Sequence, residues 1–275
     1  MAPRRLALVT GAGGGIGLGV SRMLHAHGYR IIAVDITPEA AERAAAQIGG
    51  DSIAVANDGS DRRQVARLAE RIRTEWSQEL DVLVCNAGVI VPGDVSELTP
   101  ADLEKQLDVM LGYPTQLITA AVPGFIARGS GHVLATVSMG GILSLPGSAA
   151  YSAAKSGLRA FLTALAAELA GTGVAVSGIY PSAVDTGMLR HEARHGGSML
   201  NFLGTVFTVD DVVRGYEKAM RTRRLEVYLP YSDSVSSRLA AFWPGASNRL
   251  MPLLDRIGRR GHAKYLARIE SEDSH

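Results

Sequence analysis

The stretch Leu6-Ala7-Leu8-Val9-Thr10-Gly11-Ala12-Gly13-Gly14-Gly15-Ile16-Gly17 joins a short aliphatic run to a glycine-rich turn, and helical spacing follows it. Glycines at such a junction permit a tight turn and let the backbone approach a pyrophosphate closely. The helix that follows offers its free N–H groups and the positive end of its dipole to the same anion. A glycine run alone is weak evidence and can be just a loop; its place after a strand and at the start of a helix strengthens the phosphate-binding reading. A second aliphatic run, residues 30–35, ends in Asp35, eighteen residues past Gly17. A carboxylate there accepts hydrogen bonds from ribose hydroxyls and repels a 2′-phosphate. Its neighbours Gly14, Ile36 and Thr37 bring no positive charge. The plainer alternative is a solvated strand end.

Outward from this turn the pattern alternates. Strand-like runs fall at residues 6–10, 30–35, 52–56, 81–85, 132–137, 174–180 and 225–229. Between them lie amphipathic segments such as residues 62–76, with Val65, Leu68, Ala69 and Ile72 on one face. Buried strands separated by helices imply a parallel sheet covered on both sides, so the expected fold is a Rossmann-type, doubly wound α/β domain of about seven strands. Residues 1–231 are read as this domain and residues 232–275, which lack a strand, as a helical C-terminal extension. With 47% hydrophobic residues among 275, a large core can be buried. The 28 Lys+Arg nearly cancel the 27 Asp+Glu, which gives no global pull toward nucleic acid or an anionic membrane. The single cysteine, Cys85, cannot form an internal disulfide and is read as a buried small side chain. The first strand begins too early for a signal peptide, and no run of about 18 apolar residues is present. The expected setting is cytoplasmic.

Residues 10–17, then Asn86-Ala87-Gly88, then Ser138 with Tyr151-Ser152-Ala153-Ala154-Lys155, resemble the classical short-chain dehydrogenases/reductases over about residues 5–230. The resemblance implies an oxidoreductase with Gly11, Gly15, Ile16 and Gly17 at the cofactor pyrophosphate and Asp35 at the adenosine ribose. It implies Asp58 at the adenine, Asn86, Ala87 and Gly88 along the nucleotide, and Pro181, Val184 and Thr186 at the nicotinamide end, with Tyr151 and Lys155 also touching the cofactor. Asp35 points to NAD rather than NADP. Pro181-Ser182 departs from the family's Pro-Gly.

The chemistry accounts for the three catalytic candidates, Ser138, Tyr151 and Lys155. Hydride transfer to a carbonyl needs an acid at the developing alkoxide, and the reverse reaction needs a base. Tyrosine has a pKa near 10, and a nearby cation lowers it. Tyr151 and Lys155 are four apart, so on one helix they share a face. Ser138 is placed to hydrogen-bond the substrate oxygen. One position departs from the family: Asp108-Val109-Met110-Leu111-Gly112 carries a methionine where the resemblance implies an asparagine that helps hold a water linking the lysine to solvent. Methionine is at best a weak acceptor. This keeps open a second reading, a catalytically weak NAD(H)-binding sensor or interaction protein.

The substrate side is read from residues near this set. Met139, Gly140, Leu143, Leu145, Met188, Leu189, Met199, Leu200 and Phe202 are the expected pocket wall, under a covering segment of about residues 187–207. Their character points to a medium-to-large apolar alcohol or ketone. His191-Glu192-Ala193-Arg194-His195 matches a zinc-binding pattern, but it lacks an evident third ligand beyond Glu217 and falls in the covering segment, so no metal is expected. A weaker reading puts one of these histidines beside the substrate. The apolar residues of segment 239–254, with Arg256, Arg259 and Arg260 after them, fit packing on the core or a partner subunit better than a membrane surface, because Pro244, Gly245 and Pro252 interrupt any long helix. Segments 102–128 and 151–170 resemble the family's subunit-pairing helices, and small residues at Ala153, Ala154, Gly157, Ala160, Ala164 and Ala167 allow close approach, so a homodimer or homotetramer is expected.

Overall fold

The computed structural model describes residues 5–273. Strand and helix alternate as β1 (Arg5–Thr10), α1 (Gly15–Ala26), β2 (Tyr29–Asp35), α2 (Pro38–Ile48), β3 (Ile53–Ala56), α3 (Arg62–Thr74) and β4 (Leu80–Cys85). Then come α4 (Pro100–Leu107), α5 (Tyr113–Arg128), β5 (Gly131–Thr136), α6 (Ala149–Glu168) and β6 (Val174–Pro181). The chain continues through α7 (Gly187–His195), α8 (Val209–Thr222), β7 (Glu226–Leu229), α9 (Tyr231–Phe242) and α10 (Pro244–Asp273). The seven strands form one sheet in the order β3-β2-β1-β4-β5-β6-β7. All its pairings are parallel. Each expected strand appears, its ends within a residue of the expected limits.

The side chains of β1 show why the sheet needs two covers. Ala7 and Val9 pack with α1, α2 and α8, through residues such as Val20, Leu24, Ala44 and Val212. Leu6 and Leu8 pack on the other face with α3, α5 and α6, through Leu68, Ile72, Leu117, Leu158 and Leu162. Alternate residues therefore feed opposite cores, as a strand's two-residue period requires. The strand order reverses between β1 and β4, which opens a crevice at the carboxyl ends of the strands.

The helices bring one addition to the sequence reading and one correction. Pro100–Arg128 runs continuously and is long and apolar enough, by length and composition, to cross a membrane; about half of its apolar stretch is buried inside the molecule, against α3 and the sheet. Its middle, Asp108–Gly112, is a π turn, a wider loop of helix that recurs at functional sites. Secondly, the prolines do not interrupt α10, which spans 30 residues. Pro244 occupies the first helical position, where no N–H is needed, and Pro252 lies exposed, where water can satisfy the carbonyl it leaves unpaired.

The C-terminal helices do two things at once. Tyr265 and Ile269 of α10 pack with Leu189, Ala193 and Phe202 to form a small separate core. A Cβ on Gly258 or Gly261 would run into the carbonyls of Met199 and Phe202, so only glycine allows this approach. Asp185 accepts hydrogen bonds from Arg190, Tyr265 and Arg268. Burial works to raise its pKa, but these donors outweigh it and hold the carboxyl at about 2. Arg190 also pairs with Glu272, and Arg194 with Asp273, which fastens α7 to α10. Meanwhile Leu239, Phe242, Trp243, Leu250, Leu253 and Ile257 remain exposed, so they do not pack on the chain's own core.

Candidate active site

A single cavity of about 810 Å³ runs along the carboxyl ends of the strands. Gly11, Gly14, Gly15, Ile16 and Asp35 line one end; Ser138, Tyr151 and Lys155 line the interior; Asn86, Ala87 and Gly88 lie between. Pro181, Val184 and Thr186 complete the wall from the loop after β6.

At the nucleotide end the main chain does most of the shaping. Gly11 has φ +63, a left-handed conformation that suits glycine. Gly17 lies beneath the turn rather than on the cavity wall, and a Cβ there would run into the Gly11 carbonyl. Helix α1 begins with no side-chain cap and no acidic residue in its first turn, leaving its N–H groups open to an anion. Asp35 accepts from the Gly13 N–H at 2.8 Å and the Ile36 N–H at 2.8 Å, so it braces the turn as well as lining the cavity. Asp58 does not line it; its Oδ1 accepts from Ser60. A glycine cradle, an open helix end and a carboxylate at the second strand together fit a dinucleotide.

At the catalytic end, β5 delivers Ser138 two residues beyond its last residue. Ser138 has φ 117, a region rarely occupied by a side-chain-bearing residue and costing about 1–3 kcal/mol. Such strain is tolerated where the surroundings fix a functional position, and here Ser138 Oγ accepts from the Gly140 N–H at 3.1 Å. Helix α6 supplies Tyr151 and Lys155 from one face, the Lys155 Nζ lying 5.8 Å from the tyrosine ring centre. A cation four residues along the helix should lower the tyrosine's pKa. Burial dominates instead: it pushes Tyr151 up to about 12, with the Ser138 hydrogen bond acting downward. Burial likewise lowers Lys155 to about 8.

Several residues that hold this set carried no sequence signal. Lys155 Nζ donates to the Thr136 carbonyl at 2.8 Å. The Thr136 hydroxyl donates to Asn86 Oδ1 at 2.8 Å and lies 2.6 Å from the Tyr216 hydroxyl. Asn86 Nδ2 reaches the carbonyls of Thr10 and Gly11, and the Thr10 hydroxyl accepts from the Asn86 and Ala87 N–H groups. A continuous polar brace thus joins the lysine to the glycine turn. Ser182, where the family has glycine, donates to Asp233 at 2.6 Å and so ties the loop after β6 to α9.

Met110 is fully buried in the π turn and packs with Val89, Ala154 and Tyr151. Cys85 is buried, its thiol pushed up to about 12 by burial. Met139, Gly140, Leu143, Leu145, Met188, Leu189 and Leu200 line the substrate side. Phe202 and Met199 do not: Phe202 stacks near His262 and Tyr265, and Met199 lies against Gly258. Both were drawn away by α10. His191 and His195 are exposed, so neither borders the cavity, whereas Glu192 lines it. Among the described residues no cluster of three or more His, Cys, Asp or Glu side chains could hold a metal.

With this geometry in place, comparison with known proteins gives the class. Residues 5–196 match the short chain dehydrogenase family model, and the chain belongs to that family of oxidoreductases. Among its relatives, the D-threitol dehydrogenase of Mycolicibacterium smegmatis is 35% identical over 195 residues, 70% of this chain and 74% of that protein. The oxidoreductase YxjF of Bacillus subtilis is 32% identical over 192 residues, 69% of this chain and 74% of the other. A short-chain dehydrogenase from Sphingobium yanoikuyae in complex with NADPH superposes with a TM-score of 0.76 at 25% identity, covering 90% of this chain and 95% of its own. A 3-ketoacyl-(acyl-carrier-protein) reductase from Brucella melitensis complexed with NADH gives 0.71 at 26%, over 82% and 96%.

Proposed function

We propose that the protein is an NAD(H)-dependent oxidoreductase that interconverts a secondary alcohol and its ketone, the substrate being medium to large and mainly apolar. The observation that carries this reading is one cavity with Asp35 at one end and Ser138, Tyr151 and Lys155 at the other. Residues 11–16 and 86–88 would hold the nucleotide, and the nicotinamide, when bound, supplies or accepts the hydride. Tyr151 gives or takes the proton, Ser138 orients the substrate oxygen, and Lys155 brings positive charge to the tyrosine. Relatives with NADPH and with NADH leave the choice of cofactor to this chain's own residues. The Asp35 carboxylate, with no cation at Gly14, Ile36 or Thr37, favours NAD. A dehydrogenase of D-threitol among the relatives supports an alcohol as substrate. Ala153, Ala160, Ala164 and Ala167 are exposed along α6, which supports pairing into a homodimer or homotetramer, in the reducing cytoplasmic setting that suits a one-cysteine chain.

The test is steady-state kinetics with NAD and NADP over a panel of secondary alcohols, and with the reduced cofactors over the matching ketones. NAD should be preferred by at least about tenfold in kcat/KM, and Asp35→Ala should erase most of that preference, because it removes a like-charge contact with a 2′-phosphate. Equal efficiencies with the two cofactors would refute the NAD assignment; no turnover with either would refute the enzyme.

A further inference from the structure

The glutamate between the two exposed histidines of α7 is left without a role by the chemistry above. Glu192 is 6% exposed and lines the same cavity as Ser138 and Tyr151. Leu189, Leu200 and Leu203 line the same cavity. Its one side-chain hydrogen bond among the described residues comes from Asn201 Nδ2 to Oε1, at 3.3 Å. The cations nearest in sequence are turned away: Arg190 to Asp185 and Glu272, and Arg194 to Asp273. The loop at Gly197 closes over the carboxyl, where an added Cβ would sit 2.8 Å from Oε1. Burial raises Glu192's pKa to about 7, and its charge acts on Tyr151.

A buried carboxyl with one neutral partner and no cation is costly to keep. Packing does not explain it, since an apolar side chain of similar length would fill the site without that cost. A polar group set in an apolar pocket discriminates strongly for a ligand that satisfies it, because a ligand lacking the matching group leaves it unpaired.

We propose that Glu192 and Asn201 form a polar subsite for a second hydroxyl of the substrate, so that the alcohol oxidised is a diol with an otherwise apolar body. This rests on the oxidoreductase reading and narrows its substrate class. A hydroxyl both donates and accepts. It can donate a hydrogen bond to a Glu192 carboxyl oxygen and accept one from the second N–H of the Asn201 amide. An ammonium group could use only the glutamate, having no lone pair for the amide.

The probes are cyclohexanol and its 1,2-, 1,3- and 1,4-diols, oxidised with NAD by the intact protein and by its Glu192→Gln, Glu192→Leu and Asn201→Ala variants. In the unmodified protein at least one diol should exceed cyclohexanol by about tenfold or more in kcat/KM, the range expected when a buried polar group would otherwise be left unpaired. Glu192→Leu should collapse that diol-to-cyclohexanol ratio toward one, mainly through KM, with Glu192→Gln and Asn201→Ala falling between. The Gln variant keeps the shape of the side chain and guards against misreading a folding defect. If cyclohexanol is oxidised and no diol is preferred, or if the preference survives in Glu192→Leu, the subsite is wrong and the oxidoreductase stands. If none of the four is oxidised while another secondary alcohol of the panel is, the subsite is wrong and the oxidoreductase stands; if no alcohol or ketone of the panel turns over, both readings fall.

Discussion

At the nucleotide end of the cavity the lining is largely main chain, drawn from one strand–turn–helix unit; at the substrate end it is side chains from α6, α7, α9 and α10. The first end tolerates few residue types because backbone atoms meet there without room for a Cβ. The second tolerates many, because a pocket wall can be rebuilt from different side chains at the same shape. One end is therefore set by the backbone, and the other by this chain's choice of side chains.

A pair of single-methyl additions tests that contrast most severely. Gly17→Ala forces a Cβ into the Gly11 carbonyl and should lower folding stability by about 3 kcal/mol or more, as a backbone clash that cannot relax. At the substrate end, Gly187 has nothing within 4 Å of the added atom, and Gly187→Ala should stay within about 0.5 kcal/mol. Denaturant titration of both variants decides; similar losses would erase the distinction. Next in size, Tyr151→Phe keeps the ring against Met110 and Ala154 but removes the ionisable oxygen, and should lower kcat by at least about 100-fold. Near-normal turnover would place proton transfer elsewhere.

A pH series sharpens the substrate end. The Glu192 carboxyl is raised from its ordinary 4.5 to about 7, so the protonated form is the one the fold favours. Its contribution is fully present below pH 4.5 and is lost as pH rises through about 7. Glu192→Gln should therefore remove a decline in stability across that window, on the order of 3 kcal/mol. Parallel stability–pH curves for variant and parent would show that the carboxyl is not held as described. The smallest effect is expected at Met110. Met110→Asn should raise turnover by no more than about threefold and shrink the solvent isotope effect, if proton delivery limits the rate. No change in either would mean the lysine reaches solvent without help from this position.

How much of this was legible in the sequence follows the same divide. The glycine turn, Asp35 and the Ser138, Tyr151 and Lys155 set were visible because mechanism and backbone geometry dictate residue type at fixed spacing. The strands were visible because two buried faces demand continuous apolar runs. The covering segment was not, since what Phe202 and Met199 touch is decided by α10, some sixty residues away, and no local period encodes that contact. Pro252 looks like a stop in the sequence, although an exposed helix face tolerates it. In the His191–His195 motif the histidines drew the attention, yet the carboxyl between them is the group that faces the cavity.

The brace from Lys155 through Thr136 and Asn86 to Gly11 has a thermodynamic consequence. A proton on the lysine and a nucleotide on the glycine turn are two ligands of one connected framework, and their coupling is reciprocal. Whatever factor the nucleotide adds to the lysine's hold on its proton, the proton adds to the protein's hold on the nucleotide. The cationic lysine is the state that an anionic dinucleotide favours. With Lys155 titrating at about 8, dinucleotide affinity should decline as pH rises past that point, so the binding step itself carries a pH dependence separate from that of the chemical step.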